Sequence, residues 1–365
     1  CAGLDLPPFD SFIIGGHEIR ETGFLASAEE FHVGSNALEP ELVQACKDEL
    51  LAASSRVRPG TKLGCGPTIG RLGNWGGLEA NHHETTLEAL ERVGADLDAF
   101  QRETGVDHLI MLNVSSTEPV FKLKEVHQSW PLLNEALSEG GDDWLPASSI
   151  YALAALLRGH TYLNFTPSLG ASIPALAQVA KTTGSLYGGK DGKTGESLMK
   201  TVLAPMFARR NLEVLSWVGH NIFGNRDGVV LDDPANKASK VETKDRVVSS
   251  ILGYKPQTLV TIEYIPDMGD WKTAWDHIHF RGFLGVKMAL QFTWQGCDSL
   301  LAAPLAIDLA RLADLEKQRG GSGLMVHLAS FFKSPEGIEE NDFFEQYRSL
   351  SEYLSTVRAS LSAAS

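Results

Sequence analysis

A short apolar run at 109–114 places the strongest constraint on the fold of this chain. A strand without alternating polar residues is buried on both faces, which is typical of a parallel sheet covered by helices. Helical spacing precedes the run over 85–104 and returns over 148–158, before a second short strand at 162–164. This alternation predicts an α/β fold wound around a mostly parallel sheet. Small polar residues at 115–118 follow the first strand, where such sheets bind ligands.

A second sheet is predicted further along the chain. Apolar residues alternate at 260, 262 and 264, and again at every second position over 286–294. A period of two is typical of a strand with one covered face. Two helices should follow, one over 298–315 and one with an apolar stripe over 343–361.

The N-terminal region carries a weaker pattern. Residues 12–18 predict a short buried strand that ends in Gly16 and the acid Glu18. An acid at the end of such a strand hydrogen-bonds the ribose hydroxyls in dinucleotide folds, although an exposed acid after a strand fits equally well. Residues 40–57 are expected to be helical. The glycine-rich segment 60–77 is expected to be a loop, and its match to a phosphate-binding fingerprint fails on spacing.

Composition limits the class of partner. The formal charge of −14 argues against a broad basic surface for nucleic acid, and no apolar run approaches the ~18 residues of a membrane helix. Four cysteines without CxxC spacing favour reduced thiols in a cytoplasmic protein. The sequence opens with Cys1 and no initiator methionine, so we expect that it begins downstream of the natural start of the protein. The histidines at 82–83 and at 277 and 279 lack further ligands at a telling distance, so no metal site is predicted.

Two lysines stand at the start of a predicted helix. Ser239 and Glu242 form a capping box, so the helix begins near Lys240, and Lys244 lies one turn later on the same face. The helix dipole disfavours cations at that end, which makes the pair suited to an anion. Two solvated surface lysines fit the spacing equally well.

Two glycine-containing loops are candidates for ligand binding. The segment 188–197 precedes an apolar helical pattern, and amides at a helix start favour an anion, although a plain turn is the alternative. Tyr187 occupies the position of the first glycine of a P-loop, so a nucleotide triphosphatase is not expected. The loop 220–228 offers amides, an arginine and an acid for a polyhydroxyl ligand or a cofactor, as a surface turn also would.

Taken in order, these segments resemble the myo-inositol-1-phosphate synthase family, and the most specific is 297–305. The resemblance implies a Rossmann-like doubly wound parallel sheet with an inserted α+β domain. It implies NAD-dependent oxidation of glucose 6-phosphate at C5, enolisation, aldol closure from C6 to C1 and return of the hydride, giving an inositol monophosphate. The matching segments are 16–19, 115–118, 164–168, 191–197, 221–228, 239–244, 269–272, 298–308 and 333–335.

The resemblance also implies three sets of site residues. The catalytic set is Lys240, Lys244, Lys272, Lys333, Asp191, Asp270 and Asp298. The phosphate set is Thr194, Gly195, Glu196, Ser197 and Asn221. The cofactor set is Gly16, Glu18, Ser115, Ser116, Thr117, Asn164, Asp191, Asn225, Asp227 and Asp298. Lys244 and Lys272 are expected at phosphate or carbonyl oxygen, and Lys240 and Lys333 in proton transfer. Clustered cations depress one another's pKa, which suits an amine acting as a base.

The family's glycine-rich NAD loop should precede Phe12, and we expect it to lie upstream of the printed sequence. Residues 1–197 are expected to bind NAD, 198–301 to be catalytic and form a homotetramer, and 302–365 to return to the NAD-binding domain. A monovalent or divalent cation stays open as a second cofactor. The alternatives are an NAD-dependent dehydrogenase of another phosphorylated sugar, with net hydride exchange, and an inactive homologue that binds sugar phosphate or nucleotide.

Overall fold

The computed structural model describes residue 4 and residues 6–76, 84–141, 143–233 and 247–364. Within these ranges, residues 247–252 are helical, and the other α-helices are α1 (Phe24–Ser35), α2 (Pro40–Ala45), α3 (Lys47–Ser54), α4 (Gly66–Leu72), α5 (Thr86–Thr104), α6 (Trp130–Ser138), α7 (Ala147–Leu157), α8 (Pro174–Thr183), α9 (Glu196–Arg209), α10 (Arg226–Leu231), α11 (Asp298–Gln318) and α12 (Phe343–Ala364). The strands are β1 (Gly16–Glu18), β2 (Val57–Pro59), β3 (Ile110–Asn113), β4 (Thr161–Asn164), β5 (Leu186–Gly189), β6 (Glu213–Phe223), β7 (Gln257–Tyr264), β8 (Trp271–Arg281), β9 (Lys287–Cys297) and β10 (Gly323–Leu324).

The chain divides into two compact units. The N-terminal unit comprises Pro7–Gly188 and Ala310–Leu324. The C-terminal unit comprises Cys1–Leu6, Gly189–Leu309 and Met325–Ser365. Each unit has its own sheet and its own buried core, so each is described by itself.

The N-terminal unit has the predicted α/β organisation. Its larger sheet has the strand order β10-β5-β4-β3, in which β3 pairs in parallel with β4 and β5 with β10, and β1 pairs in parallel with β2. The core forms between α5, α7 and α8, where Val93, Leu153 and Leu176 are almost fully buried. Alanines along α7 let neighbouring elements approach closely, which is why nearly the whole helix is buried.

Several local predictions differ from the structure. The first three residues of β3 are only half-buried because β3 lies at the edge of its described sheet, whereas β4 is buried throughout. Pairing of β1 begins at Gly16 rather than at residue 12, since Gly16 lies opposite Val57. The predicted helix over 40–57 is interrupted at Cys46 and ends in β2. The predicted glycine-rich loop contains α4, which begins with Gly66 and Pro67, a residue suited to a first helical turn.

The C-terminal unit contains the predicted second sheet, with the order β7-β6-β8-β9. β6 pairs in parallel with β7 and antiparallel with β8, and β9 pairs antiparallel with β8. One face is covered, because Trp217, Ile278 and Phe280 pack with Phe207 of α9. On the same buried face, Trp217 Nε1 donates a hydrogen bond of 3.0 Å to Asp276 Oδ1.

The opposite face of this sheet is more open. His220 of β6 stacks on Trp275 of β8 at 5.7 Å between ring centroids, and Trp275 also contacts His277. Leu259 of β7 is half exposed. The histidines at 277 and 279 lie in β8 on this face. No helix in the described parts of the chain is long and apolar enough to cross a membrane.

Candidate active site

A short backbone pairing in the C-terminal unit brings two predicted site residues together. Lys190 and Ser334 exchange both backbone hydrogen bonds, and the amide of Lys333 donates to the carbonyl of Asp191. The side chains then meet as an ion pair, with Lys333 Nζ 3.0 Å from Asp191 Oδ1. Asp191 is buried and has a φ of 64°, a conformation that an aspartate tolerates better than most residues. The pair is thus fixed by main-chain contacts on both sides.

A second lysine–aspartate pair joins the start of β8 to the start of α11. Lys272 Nζ lies 2.9 Å from Asp298 Oδ2, and Thr194 Oγ1 donates a hydrogen bond of 3.3 Å to Asp298 Oδ1. Lys272 also lies 5.5 Å from the centre of the Phe223 ring. Although burial by itself lowers the pKa of Lys272, the nearby carboxylates, above all Asp298, raise it overall. The amine is therefore held in its charged form.

The turn at 191–194 belongs to both pairs. Its first residue, Asp191, accepts from Lys333, and its last, Thr194, donates to Asp298. Gly195 follows at the start of α9, and a side chain there would lie 3.1 Å from Trp294 Nε1 and 3.6 Å from Asp298 Oδ1. The glycine thus lets the backbone approach the second pair closely.

The structure places Glu196 in the interior rather than on an open cradle. Its Oε1 lies 2.7 Å from Lys200 Nζ, one turn along α9, and both side chains are at most 3% exposed. A side chain on Gly219 would lie 2.7 Å from the same oxygen and 3.1 Å from both oxygens of Asp276. The negative charge that the sequence puts beside the phosphate cradle is therefore compensated by Lys200. Glu196 is therefore a buried, paired carboxylate in this structure.

The other phosphate-set residues are differently exposed. Thr194 is half-buried, whereas Gly195 and Ser197 are buried. Asn221 is fully buried in β6, where its Nδ2 donates to the carbonyl of Thr261. Asn221 Oδ1 has no hydrogen-bond partner among the described residues. Among these four residues, only Thr194 contacts one of the two lysine–aspartate pairs directly through a side-chain hydrogen bond.

Two further predicted residues of this unit, Asn225 and Asp227, lie at the start of α10. Asn225 caps α10, since its Oδ1 accepts from the amide of Gly228. Asp227, in the first turn of α10, is close enough to raise the pKa of Lys272. Burial raises the pKa of the Cys297 thiol, and Asp270 and Asp298 add to that shift, so the thiol stays protonated. Lys240, Lys244 and the Ser239 to Glu242 capping box lie outside the described residues, as do Cys1 and the histidines at 82–83.

The sequence prediction missed a buried lysine beside these groups. Lys193 is 3% exposed, and its Nζ donates a hydrogen bond of 2.6 Å to Gln346 Oε1 of α12. Burial lowers the pKa of Lys193 to about 7; Asp342 opposes that shift and Lys333 adds to it. The lysine was visible in the glycine-rich segment, but its partner lies 153 positions later, which sequence spacing does not reveal.

In the N-terminal unit, Glu18 ends β1 as predicted. Its Oε1 accepts hydrogen bonds from the amides of Ile19 and Arg20, at 2.8 and 3.2 Å. Its Oε2 lies 3.0 Å from Arg20 Nη2. Gly16 is exposed, and a side chain on it would meet nothing within 4 Å. A held carboxylate beside open backbone has the chemistry that a ribose diol requires.

The loop after β3 and the end of β4 carry the other cofactor-set residues of this unit. Ser115 donates from its amide and its hydroxyl to Asn113 Oδ1, Ser116 is half-buried, and Thr117 is buried. Asn164 Oδ1 accepts three hydrogen bonds and Asn164 Nδ2 donates to the carbonyl of Ser168. Asn164 therefore shapes its loop through its whole amide. The hydroxyls and the Glu18 carboxylate fit the polar groups of NAD.

Comparison with known proteins identifies the family of the chain. The family model for NAD-binding myo-inositol-1-phosphate synthase matches residues 3–355. Inositol-3-phosphate synthase 1 of Bacteroides thetaiotaomicron is 32% identical over 365 residues, covering 96% of this chain and 82% of the relative. A probable inositol 3-phosphate synthase isozyme of Arabidopsis thaliana is 32% identical over 254 residues, covering 66% of this chain. The match spans 49% of that plant relative, about half of its length.

Solved structures share the fold. Inositol-3-phosphate synthase of Caenorhabditis elegans superposes with a TM-score of 0.86 at 24% identity, covering 98% of this chain and 72% of that one. A myo-inositol-1-phosphate synthase-related protein of Thermotoga maritima gives a TM-score of 0.72 at 24% identity, covering 93% and 85%. The predicted NAD-binding α/β fold with an additional sheet domain is thereby confirmed. The chain belongs to the myo-inositol-1-phosphate synthase family.

Proposed function

We propose that this chain converts glucose 6-phosphate into myo-inositol 1(3)-phosphate by oxidation at C5, enolisation, aldol closure from C6 to C1 and re-reduction. The activity is the one in the names of its relatives. The observation that carries it is the turn at 191–194, because one backbone segment holds a carboxylate of one lysine pair and the hydroxyl that touches the other. The enolisation and aldol steps need one charged lysine that stabilises an oxyanion and a second lysine that transfers a proton, both held in fixed positions.

When bound, NAD supplies the hydride acceptor for the first step and the hydride donor for the last. The proposed cofactor contacts of the N-terminal unit are Glu18 on the ribose hydroxyls and the hydroxyls of Ser115, Ser116 and Thr117 on the remaining polar groups. Asn164 holds its loop in shape. In the C-terminal unit, the proposed cofactor contacts are Asp191, Asn225, Asp227 and Asp298. A monovalent or divalent cation is proposed as a second cofactor, and unchanged turnover after metal depletion would exclude it.

Lys272 is proposed to stabilise negative charge on a phosphate or carbonyl oxygen. Its raised pKa supports that role, since a lysine that stays charged is a poor base at neutral pH. Lys333 is proposed to move the sugar hydroxyl proton, with Asp191 accepting a hydrogen bond from its amine. Lys240 and Lys244 keep their proposed roles in proton transfer and oxyanion binding. Asp270 and Asp298 are proposed to orient the lysines.

The phosphate is proposed to bind at the start of α9. Thr194 and Ser197 offer hydroxyls, and the amide of Gly195 is at the positive end of the helix dipole. Glu196 and Asn221 are proposed to support this cradle from the interior. Their burial favours that division of roles, because a carboxylate facing a phosphate would repel it.

The setting of the enzyme is also proposed. We infer a cytoplasmic homotetramer in inositol and phospholipid biosynthesis, in which 1–197 binds NAD, 198–301 is catalytic and forms the subunit contacts, and 302–365 returns to the NAD-binding domain. The open face of the second sheet, with Trp275 and half-exposed Leu259, is the surface that suits contact between copies. Sedimentation of the purified protein tests the tetramer, and a monomer at micromolar concentration would exclude it.

The activity is tested by incubating the full-length protein with glucose 6-phosphate and NAD and assaying inositol phosphate. We expect product without accumulation of NADH, because the hydride returns within the cycle. Stoichiometric NADH would instead favour a dehydrogenase of a phosphorylated sugar. Binding of NAD and sugar phosphate without any product would favour the inactive homologue. Lys333→Met serves as the negative control, since it removes the proposed proton-transferring amine and keeps much of its aliphatic stem.

A further inference from the structure

Glu118 directly follows the hydroxyl loop at 115–117 and is buried at 5% exposure. Its Oε1 accepts a hydrogen bond of 2.7 Å from the amide of Ser148, and its Oε2 accepts one of 2.5 Å from Ser148 Oγ. Its own amide donates to Ser168 Oγ at 3.0 Å. One residue therefore joins the loop after β3 to the first turn of α7 and to the loop after β4.

The contacts continue from Ser148 into the loop after β4. Ser148 Oγ accepts from the amide of Gly170 at 3.1 Å, and Ser149 Oγ donates to the carbonyl of Gly170 at 2.8 Å. The carbonyl of Ser168 accepts from Asn164 Nδ2. The two loops at the carboxyl ends of β3 and β4 are thus held against the same helix start.

Capping the start of α7 does not by itself require a buried glutamate from another loop. A serine, threonine or aspartate at the cap position would satisfy the same amide locally, whereas the residue there is Pro146, without a side-chain acceptor. Burial raises the pKa of Glu118 to about 7, and the hydrogen bonds from Ser148 and Ser168 partly offset that rise. Because the Glu118 carboxyl lies 30 positions from Ser148 in the sequence, its hydrogen bond to the start of α7 couples that helix start to the conformation of the loop at 115–117.

We propose that Glu118 is a positioning residue that fixes the loop at 115–117 in its cofactor-binding conformation through Ser148. The inference rests on the proposed function, because it assumes that this loop contacts NAD. Glu118 acts through the loop and touches neither substrate nor cofactor. Its loss should therefore weaken NAD binding without changing the affinity for the sugar phosphate.

The test compares three single variants of the full-length protein and one double variant, which combines Glu118→Gln with Ser148→Ala. Glu118→Gln removes the charge of the carboxyl, and Ser148→Ala removes its hydroxyl partner. Ser185→Ala is the matched control, since Ser185 is fully buried and its Oγ donates to the carbonyl of Leu156 at the other end of α7. Calorimetric titration gives the Kd for NAD, steady-state kinetics give KM for each substrate, and thermal unfolding gives Tm.

We expect Glu118→Gln and Ser148→Ala each to raise the Kd and KM for NAD about tenfold, the effect of losing one buried hydrogen bond. The KM for glucose 6-phosphate should stay within about twofold, and Ser185→Ala should lower Tm comparably while leaving the Kd for NAD unchanged. If Glu118→Gln fails to fold, Ser148→Ala carries the test alone. The double variant should bind NAD about as weakly as either single one, because both act on one contact.

An unchanged Kd for NAD in Ser148→Ala, or an equal loss of affinity in Ser185→Ala, would overturn the positioning role. The first result would mean that the contact with α7 does not affect the loop at 115–117. The second would mean that Glu118 contributes only to the overall stability of the protein. A wild-type protein that binds no NAD would refute the proposed function itself, and the role of Glu118 with it. A wild-type protein that binds NAD and turns over, with an unaffected Glu118→Gln variant, would refute only the positioning role.

Discussion

Replacing Lys200 by methionine should destabilise the protein more than most single substitutions. Lys200 Nζ lies 2.7 Å from Glu196 Oε1 within α9, and the two side chains are 3% and 1% exposed. Methionine keeps the length of the aliphatic stem but removes the charge. Glu196 would then keep a buried carboxylate without the lysine that compensates it.

The expected loss is about 3–5 kcal/mol, the range for removing one partner of a buried ion pair. A value near the upper end is expected, because Asp276 and Glu196 both approach Gly219 closely, and like charges repel. For units of this size, ~2–4 °C of Tm per kcal/mol gives a fall of about 6–20 °C.

Thermal and urea unfolding of wild type and three variants provide the assay. Lys181→Met, on an exposed part of α8, is the matched control and should stay within about 0.5 kcal/mol of wild type. The double variant Glu196→Gln with Lys200→Met should regain most of the lost stability, because it removes both charges together. Its KM for glucose 6-phosphate should remain close to that of wild type if Glu196 supports the cradle from inside.

Three outcomes would contradict this reasoning. A loss below about 1 kcal/mol in Lys200→Met would mean that the pair contributes no more than a surface ion pair. A double variant as unstable as the single one would mean that packing, and not charge, holds Lys200 in place. A large rise in KM for the double variant alone would return Glu196 to the ligand-binding residues.

Three further variants test the rest of the site. The pKa of Lys193 is lowered to about 7, whereas an unfolded lysine binds its proton up to ~10.4, so wild-type stability should rise with pH between these values by up to about 1.4 kcal/mol per pH unit. Lys193→Met should lack that contribution when the free energy of unfolding is measured by urea titration at pH 7 and 9.5. The same change in stability with pH in wild type and variant would disprove it. Gly195→Ala puts a methyl 3.1 Å from Trp294 Nε1 and should raise the KM for glucose 6-phosphate about tenfold at a cost of about 1–3 kcal/mol in stability; an unchanged KM would argue against the cradle. Asp298→Asn should lower kcat by about 100-fold or more and move the pH–rate profile to lower pH, since Lys272 loses its main carboxylate partner, and an unmoved profile would separate the pair from catalysis.

Local patterns in the sequence were enough to predict the long helices and several strands. The helical spacing over 85–104 corresponds to α5, whose capping box of Thr85 and Glu88 is also readable from the sequence. Alternation predicted β7 and β9, because a sheet with one covered face leaves a period of two. The half-buried state of β3 was not readable, since its edge position depends on the order of strands from distant parts of the chain.

The site shows the same limit. The resemblance named Asp191, Lys333, Lys272 and Asp298 but not how they pair. The two side-chain pairs join residues that are 142 and 26 positions apart, which local sequence patterns do not reveal. The compensation of Glu196 was readable, because a lysine four positions later in a helix is the expected partner. The family resemblance of the glycine-rich segment instead assigned Glu196 to the phosphate set.

The structure also changes the expectation about which lysine has a lowered pKa. A cluster of lysines was expected to depress the pKa of its members, yet Lys272 has a raised pKa because Asp298 lies within 2.9 Å. The lysine with a lowered pKa is Lys193, and burial is the main cause. Lys272 and Lys333 each have their own aspartate partner, which offsets the repulsion between the two positive charges. The turn at 191–194 contacts both pairs, through Asp191 and through Thr194, so a change in its backbone should move both lysine–aspartate pairs together.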